Sequence, residues 1–198
     1  MYEYYGVYKA CRDAAWRCQI DFGVNRLPVK VLGIARAAGI RVVRNSIVNE
    51  LRPGEAGVSI TDGSVWTVIY DDSRSIEESR VIVAHELGHI FLGHEYKYGG
   101  RRFGFSGIPT KSEREADLFA MRLLAPACIL HELSLLDPDG IAALCGIPHE
   151  LAEERAKRMV TLEKRGSFYR SQLESDAKRG FDSFLQEYRE RKNDHLPE

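Results

Sequence analysis

The run His85-Glu86-Leu87-Gly88-His89, set between Val81-Ile82-Val83-Ala84 and Ile90-Phe91-Leu92, decides how the rest of this sequence is read. On an α-helix two histidines four residues apart project from one face, close enough to share a metal ion. Glu86 lies beside that face, where a carboxylate can take a proton from a metal-held water. The pattern fixes only three positions, so its meaning depends on what the remaining residues add.

Upstream, apolar residues recur at Tyr4, Tyr8, Cys11, Ala15, Cys18 and Phe22, a spacing that predicts an amphipathic helix over 3–22, stopped by Gly23. Pro28 opens a second helix that Gly39 closes, and Ile40–Val43 reads as a short strand. Two β runs follow, 57–60 and 65–70, with Asp62-Gly63 in the turn between them. The helix with the two histidines begins near Ser75, has Glu77 and Glu78 at its positive end, and closes at Gly93. Residues 95–111 read as a mobile loop, whose glycine-rich part, 99–107, could act as a lid. A helix then runs from Thr110–Ser112 to Pro126, and Asp137-Pro138-Asp139-Gly140 reads as a turn. A short helix, a turn at Gly146 and a longer helix over 148–160 come next. Tyr169, Leu173, Ala177, Phe181, Phe184 and Tyr188 make one helical stripe in the tail.

The expected fold is α+β: mostly helical, with a small mixed or antiparallel sheet packed on the two-histidine helix and a C-terminal helical region. The segments are an N-terminal helix (1–27), a core (28–136), a helix-turn-helix-like part (137–165) and a C-terminal helix (166–198).

A length of 198 residues suits one fair-sized domain, with or without a small appendage. The net charge of −1 argues against a general nucleic-acid coat. No apolar run approaches the roughly 20 residues that span a bilayer. Met1-Tyr2-Glu3-Tyr4-Tyr5 does not open a signal peptide, and none of the four cysteines forms a C-x-x-C pair, so buried reduced thiols in a cytoplasmic protein are expected.

Catalytic zinc takes three protein ligands and leaves one position open. His94 lies nine residues from His85, half a turn round a continuous helix, and reads as a helix-end or surface histidine. Leu92 and Glu95 stand where a metzincin needs Gly and His, which excludes that class. The better source is Ser112-Glu113-Arg114-Glu115-Ala116-Asp117. Glu113 and Asp117 share a helix face, so one can bind the metal while the other accepts the free ring N–H of a ligand histidine. Glu115 points about 160° away, and Ser112-x-x-Glu115 forms a capping box. Thr110-x-x-Glu113 fits the same box, which keeps Glu115 open as the ligand although Glu113 is preferred.

With these residues assembled, the chain resembles the ImmA/IrrE family of metallopeptidases. The match lies in Arg80–His89 and in Glu113–Pro126, against the family's A-H-E-L-G-H helix and E-x-x-A-N/D-x-F-A-x-x-L-L-x-P helix. A looser similarity runs from Pro28 to Met159; Ala125 stands where the family often has Met. The resemblance implies a gluzincin-like zinc (Zn2+) endopeptidase in which His85, His89 and Glu113 bind the metal, Glu86 is the general base and Asp117 orients a ligand histidine. It also implies a protein substrate, a helix-turn-helix transcriptional repressor in phage, mobile-element or stress regulation. The alternative is a non-proteolytic regulator that binds a repressor or DNA.

Tyr70, Tyr96, His131 and His149 are candidates for an oxyanion helper, and strand 65–70 for an edge that holds extended substrate. Residues 141–151 resemble the family's helix-turn-helix-like part. Arg155, Lys157, Arg158, Lys164 and Arg165 follow it, but Glu150, Glu153 and Glu154 make DNA contact the weaker reading beside packing or repressor docking.

Overall fold

The computed structural model describes residues 2–98, 102–104 and 110–193. It is α+β, with helices predominating and one mixed sheet of four strands. Helix α1 (Tyr2–Asp21) leads through Gly23, at φ +60°, to α2 (Val31–Ala37), β1 (Arg41–Arg44) and the short α3 (Asn45–Val48). Strands β2 (Gly57–Thr61) and β3 (Trp66–Tyr70) form the expected hairpin. Asp62 organises its turn by accepting from the backbone N–H of Ser64 and Val65. The two-histidine helix is α4 (Ile76–Phe91), opened by a reciprocal cap in which Ser75 and Glu78 satisfy each other's backbone N–H.

After α4 come α5 (His94–Tyr98), β4 (Arg102–Gly104), α6 (Lys111–Leu124) and α7 (Ala127–Glu132). The helix-turn-helix-like part is α8 (Pro138–Cys145) and α9 (His149–Lys164), joined across Gly146 at φ +59°. Helices α10 (Gln172–Arg179) and α11 (Asp182–Asn193) complete the chain.

The sheet order is β1-β3-β2-β4, with β1 and β3 parallel and the other pairs antiparallel. Strand 65–70 therefore lies between two partners. Its backbone is paired on both sides over Thr67–Tyr70, and among the described residues the outer strands of the sheet are β1 and β4.

Three other expectations change. Asp137 accepts from the N–H of Gly140 as the N-cap of α8, so the Asp137–Gly140 turn is that helix's first turn, with Pro138 at its start. The tail stripe is carried by two helices, which break between Arg179 and Asp182. Part of the loop expected over 95–111 is regular: α5 and β4 lie inside it, while 99–101 and 105–109 lie outside the described residues, and the lid expectation with them.

One core joins nearly all the helices. Cys11, Ala15 and Cys18 from α1, Val83 and Leu87 from α4, Phe119 and Leu123 from α6, and Phe181 and Leu185 from the tail belong to it. Each fully buried Leu or Phe contributes about 1.5–3 kcal/mol. Gln19, buried on α1, donates to the carbonyls of Arg122 and Leu123 and so satisfies the C-terminal end of α6. All four cysteines are buried and free, and burial pushes the Cys18, Cys128 and Cys145 thiols up to about 12, which keeps them protonated.

Helices α4 and α6 pack closely, and glycine permits it. A Cβ at Gly88 would lie 3.1 Å from the Cα and O of Ala116 and from Cδ1 of Phe119. Backbone on both sides leaves little room to yield. Gly88→Val is therefore expected to destabilise the fold by about 1–3 kcal/mol through overpacking, measured as a lowered denaturant midpoint at unchanged m-value.

Candidate metal centre

Helix α4 buries the face that carries His85, Glu86 and His89, each at most 1% exposed. The α4–α6 approach brings up the first two turns of α6. Thr110, its N-cap, accepts from the N–H of Glu113. That settles which residue caps: Ser112 lies within α6, and the Ser112–Glu115 box does not form. The Glu113 side chain is left to reach the histidines.

His85 Nε2 and His89 Nε2 are 3.0 Å apart; Glu113 places Oε2 3.1 Å from the first and Oε1 3.4 Å from the second. Ligand atoms of these three residues lie within 4.8 Å of one another, so they can hold one metal ion. The ring nitrogens facing away are engaged too. His85 Nδ1 donates to Asp117 Oδ1 at 2.8 Å, the contact expected from the Glu113/Asp117 spacing.

On His89 the outward nitrogen meets a residue that the sequence reading dismissed. His89 Nδ1 lies 2.8 Å from His94 Nδ1, and His94 Nε2 lies 3.0 Å from Glu115 Oε2. His94 is fully buried, neither a surface residue nor a metal ligand. Half a turn of rotation over nine residues separates His94 from His85 only on one continuous helix. In the structure α4 ends at Phe91, Gly93 turns the chain at φ +65°, and α5 begins at His94. That turn swings the imidazole back over His89, so Gly93 was the available signal.

Proton accounting along this relay is strict. Glu115 accepts from His94 Nε2–H. Burial, then the neighbouring His89, pushes the His94 pKa down to about 4, so its Nδ1 carries no proton and accepts. His89 Nδ1 must then donate, which leaves the lone pair of its Nε2 facing Glu113. Phe103 of β4 stacks on the His89 ring, centroids 4.9 Å apart, and covers it.

Electrostatics favour a cation here. Burial opposes charge on His85, but hydrogen bonds to Asp117 and Glu113 outweigh it and raise its pKa to about 9. Burial likewise pushes Glu113 up, and the hydrogen bond from His85, with the histidine pair beside it, more than reverses this, bringing it to about 2. A proton on His85 Nε2 thus stands where a metal would bind.

Glu86 is wholly buried beside these groups. A Cβ at Gly57, where β2 begins, would lie 3.1 Å from Glu86 Oε1, so glycine keeps the space over the carboxylate clear.

Three of the four candidate oxyanion helpers have other described surroundings. Tyr70 lines a cavity of about 330 Å³ with Ser79 and Val83. His131 pairs with Glu163 and stacks on Phe168, and His149 pairs with Asp139. The Tyr96 side chain lies outside the described residues.

The sequence profile of the IrrE N-terminal-like domain, a peptidase family, matches residues 35–165. No curated protein matches the chain.

Removing either relay should loosen the centre. Asp117→Ala and His94→Phe are each expected to weaken divalent-metal affinity about 10–100-fold, measured by competition with a chelator. The pH dependence follows from His85. Its raised pKa stabilises the metal-free fold below its ordinary value of 6.5, and that contribution is lost as pH rises through about 9. Metal competes with the same proton, so apparent affinity should fall about tenfold per unit of acidification between roughly pH 8 and 6.

Proposed function

The chain belongs to the ImmA/IrrE family of metallopeptidases, whose IrrE N-terminal-like domain covers residues 35–165, and on that premise we propose a zinc endopeptidase of narrow specificity that cleaves a helix-turn-helix transcriptional repressor. Membership implies a metal-dependent hydrolase acting on a protein. The metal, the residue roles and the substrate are the proposal.

The observation that carries it is the convergence of His85 Nε2 and His89 Nε2, 3.0 Å apart, on the Glu113 carboxylate, whose Oε2 lies 3.1 Å from the first and whose Oε1 lies 3.4 Å from the second. Ligand atoms at tetrahedral corners about 2.0–2.1 Å from zinc lie about 3.3 Å from one another, so the donor set fits that ion in size. It fits in chemistry as well: two neutral imidazoles and one carboxylate leave a fourth position for substrate or water. When bound, zinc supplies a Lewis acid that polarises a peptide carbonyl and acidifies water.

The remaining work falls to the chain itself. Glu86 accepts the proton of the attacking water and delivers it to the departing amine nitrogen. Asp117 holds His85, and the Glu115–His94 pair holds His89, in the tautomers that aim both lone pairs inward. The depth of the site supports narrow specificity. With His85, Glu86 and His89 so buried, a folded surface cannot present a peptide bond to them, which favours a substrate segment free to enter.

The repressor as substrate rests on the family resemblance. No helix among the described residues is long and apolar enough to cross a membrane, which is compatible with such a partner. Arg155 is buried and Arg158 half-buried on α9, so neither is displayed for the phosphate contacts considered for that helix.

The test is incubation of zinc-loaded protein with the repressor encoded beside it, wild type against Glu86→Gln. Glu86→Gln should retain zinc and lose about 10²–10⁴-fold in cleavage rate. Full-rate cleavage by that variant would remove Glu86 from its role. An intact repressor bound by zinc-loaded wild type would favour the non-proteolytic regulator instead.

A further inference from the structure

Away from the metal centre, α1, α6 and α9 enclose a group of arginines with little to neutralise them. Arg122 and Arg155 are 6% and 4% exposed, and Arg158 is half-buried. Arg122 and Arg158 lie over the ring of Tyr8, at 4.0 and 4.9 Å from its centroid.

The strongest charged and polar influences on Arg122 and Arg155 are each other, Arg158, Tyr8, thiols and two carbonyls. On one side the three arginines also line a cavity of about 640 Å³ that holds Glu78, Asp117, Glu150 and Glu154, none of which forms an ion pair with them among the described residues. Burial, then the charge of Arg122, pushes the Arg155 pKa down to about 10, which still leaves it charged.

A purely structural role accounts for part of this. Arg122 donates to the Leu118 carbonyl and Arg155 to that of Ala125, at the end of α6, where orphan carbonyls need donors. It does not account for the rest. Nε of Arg155 and Nε of Arg158 are buried with no hydrogen-bond partner, and buried charge without a counter-charge is costly.

The arginines form one wall of a cavity of about 580 Å³. Among its described lining residues seven are basic, and Glu174 alone is acidic. Glu174 does not serve the cluster: its carboxylate accepts from the backbone N–H of Arg170. Lys9 and Arg12 are already paired with Asp13.

We propose that Arg122, Arg155 and Arg158 form the binding site of a small phosphate-bearing anion of about nucleotide size. Guanidinium groups match phosphate oxygens in geometry, donating through two parallel N–H bonds. The volume lies within the roughly 300–1,000 Å³ of small-molecule sites. The recess of Arg122 and Arg155 selects a small molecule, because a duplex backbone cannot bring its phosphates so far inside. Arg122 lies in the last turn of α6, with Asp117 at its middle and Glu113 in its first turn, so an anion here sits on the helix that also carries the metal-site carboxylates.

Full-length, zinc-loaded protein is titrated with inorganic phosphate and with adenosine monophosphate, against chloride at equal ionic strength, by calorimetry and thermal melting. At about 100 times its dissociation constant, the anion should raise the melting temperature by roughly 5–10 °C. Equal binding of the two would place recognition on the phosphate group alone, and tighter binding of the nucleotide would add a subsite for the base.

Arg158→Gln should weaken binding at least about tenfold. Without ligand it should melt no lower than wild type, because it removes a like charge. Arg158→Lys, which keeps the charge and loses the planar fork, should fall between them. An anion held at the zinc would be indifferent to both substitutions. No stabilisation beyond chloride, or unchanged binding in Arg158→Gln, overturns the proposal.

Discussion

The close passage of α4 over α6 at Gly88 and Ala116 is the constraint on which the rest of the structure depends. A Cβ at Gly88 would meet the backbone of Ala116 at 3.1 Å, so the helices approach to the limit that a missing side chain allows. Ala116 lies between Glu113 and Asp117, and Gly88 lies between His85 and His89. The contact that sets the helix separation therefore also sets the reach of two carboxylates to His85. A wider spacing would leave the histidines buried without partners, at the cost of desolvated polar groups. Packing and site geometry are here one requirement.

Around that contact the polar groups are arranged by pairing rather than by exposure. His85 runs outward to Asp117, and His89 runs outward through His94 to Glu115. Each carboxylate anchors a ring N–H, and each chain ends with an Nε2 turned towards Glu113. The two carboxylates that were rivals for one role divide the work: Glu113 faces the centre, and Glu115, rotated away on the same helix, supports it from behind. Phe103 covers His89 from the sheet side, so β4 adds apolar cover to the relay.

The terminal helices belong to the same construction. Residues of α1 and of the tail enter the core that holds α4 and α6, and Gln19 fastens α1 to the end of α6. This junction also gathers the arginines. Helix α9, whose basic residues suggest a nucleic-acid contact when read in sequence, turns Arg155 inward against α6 and Tyr8. Burial therefore removes Arg155 from that helix's exposed face, on which Lys157 remains.

The sequence by itself determined what local rules govern. The two-histidine helix with its buried face, the Asp62-Gly63 hairpin, the α+β class and the shared face of Glu113 and Asp117 all follow from periods of 3.6 and 2.0 and from turn chemistry, which act over a few residues. Tertiary structure decided whatever depends on where separate segments meet. Strand 65–70 is central, since pairing partners are chosen across the sheet and leave no trace in its own alternation. The tail stripe is carried by two helices that break between Arg179 and Asp182, although its apolar spacing runs on through the break. His94 returns to His89 because Gly93 ends one helix and starts another, and helical rotation cannot be carried through a left-handed turn. Thr110, not Ser112, caps α6, since both fit the local pattern and only the contacts at the helix end distinguish them. Local geometry is written in neighbouring residues; partners distant in sequence are selected by packing, and the Glu115 relay and the arginine cluster exist only there.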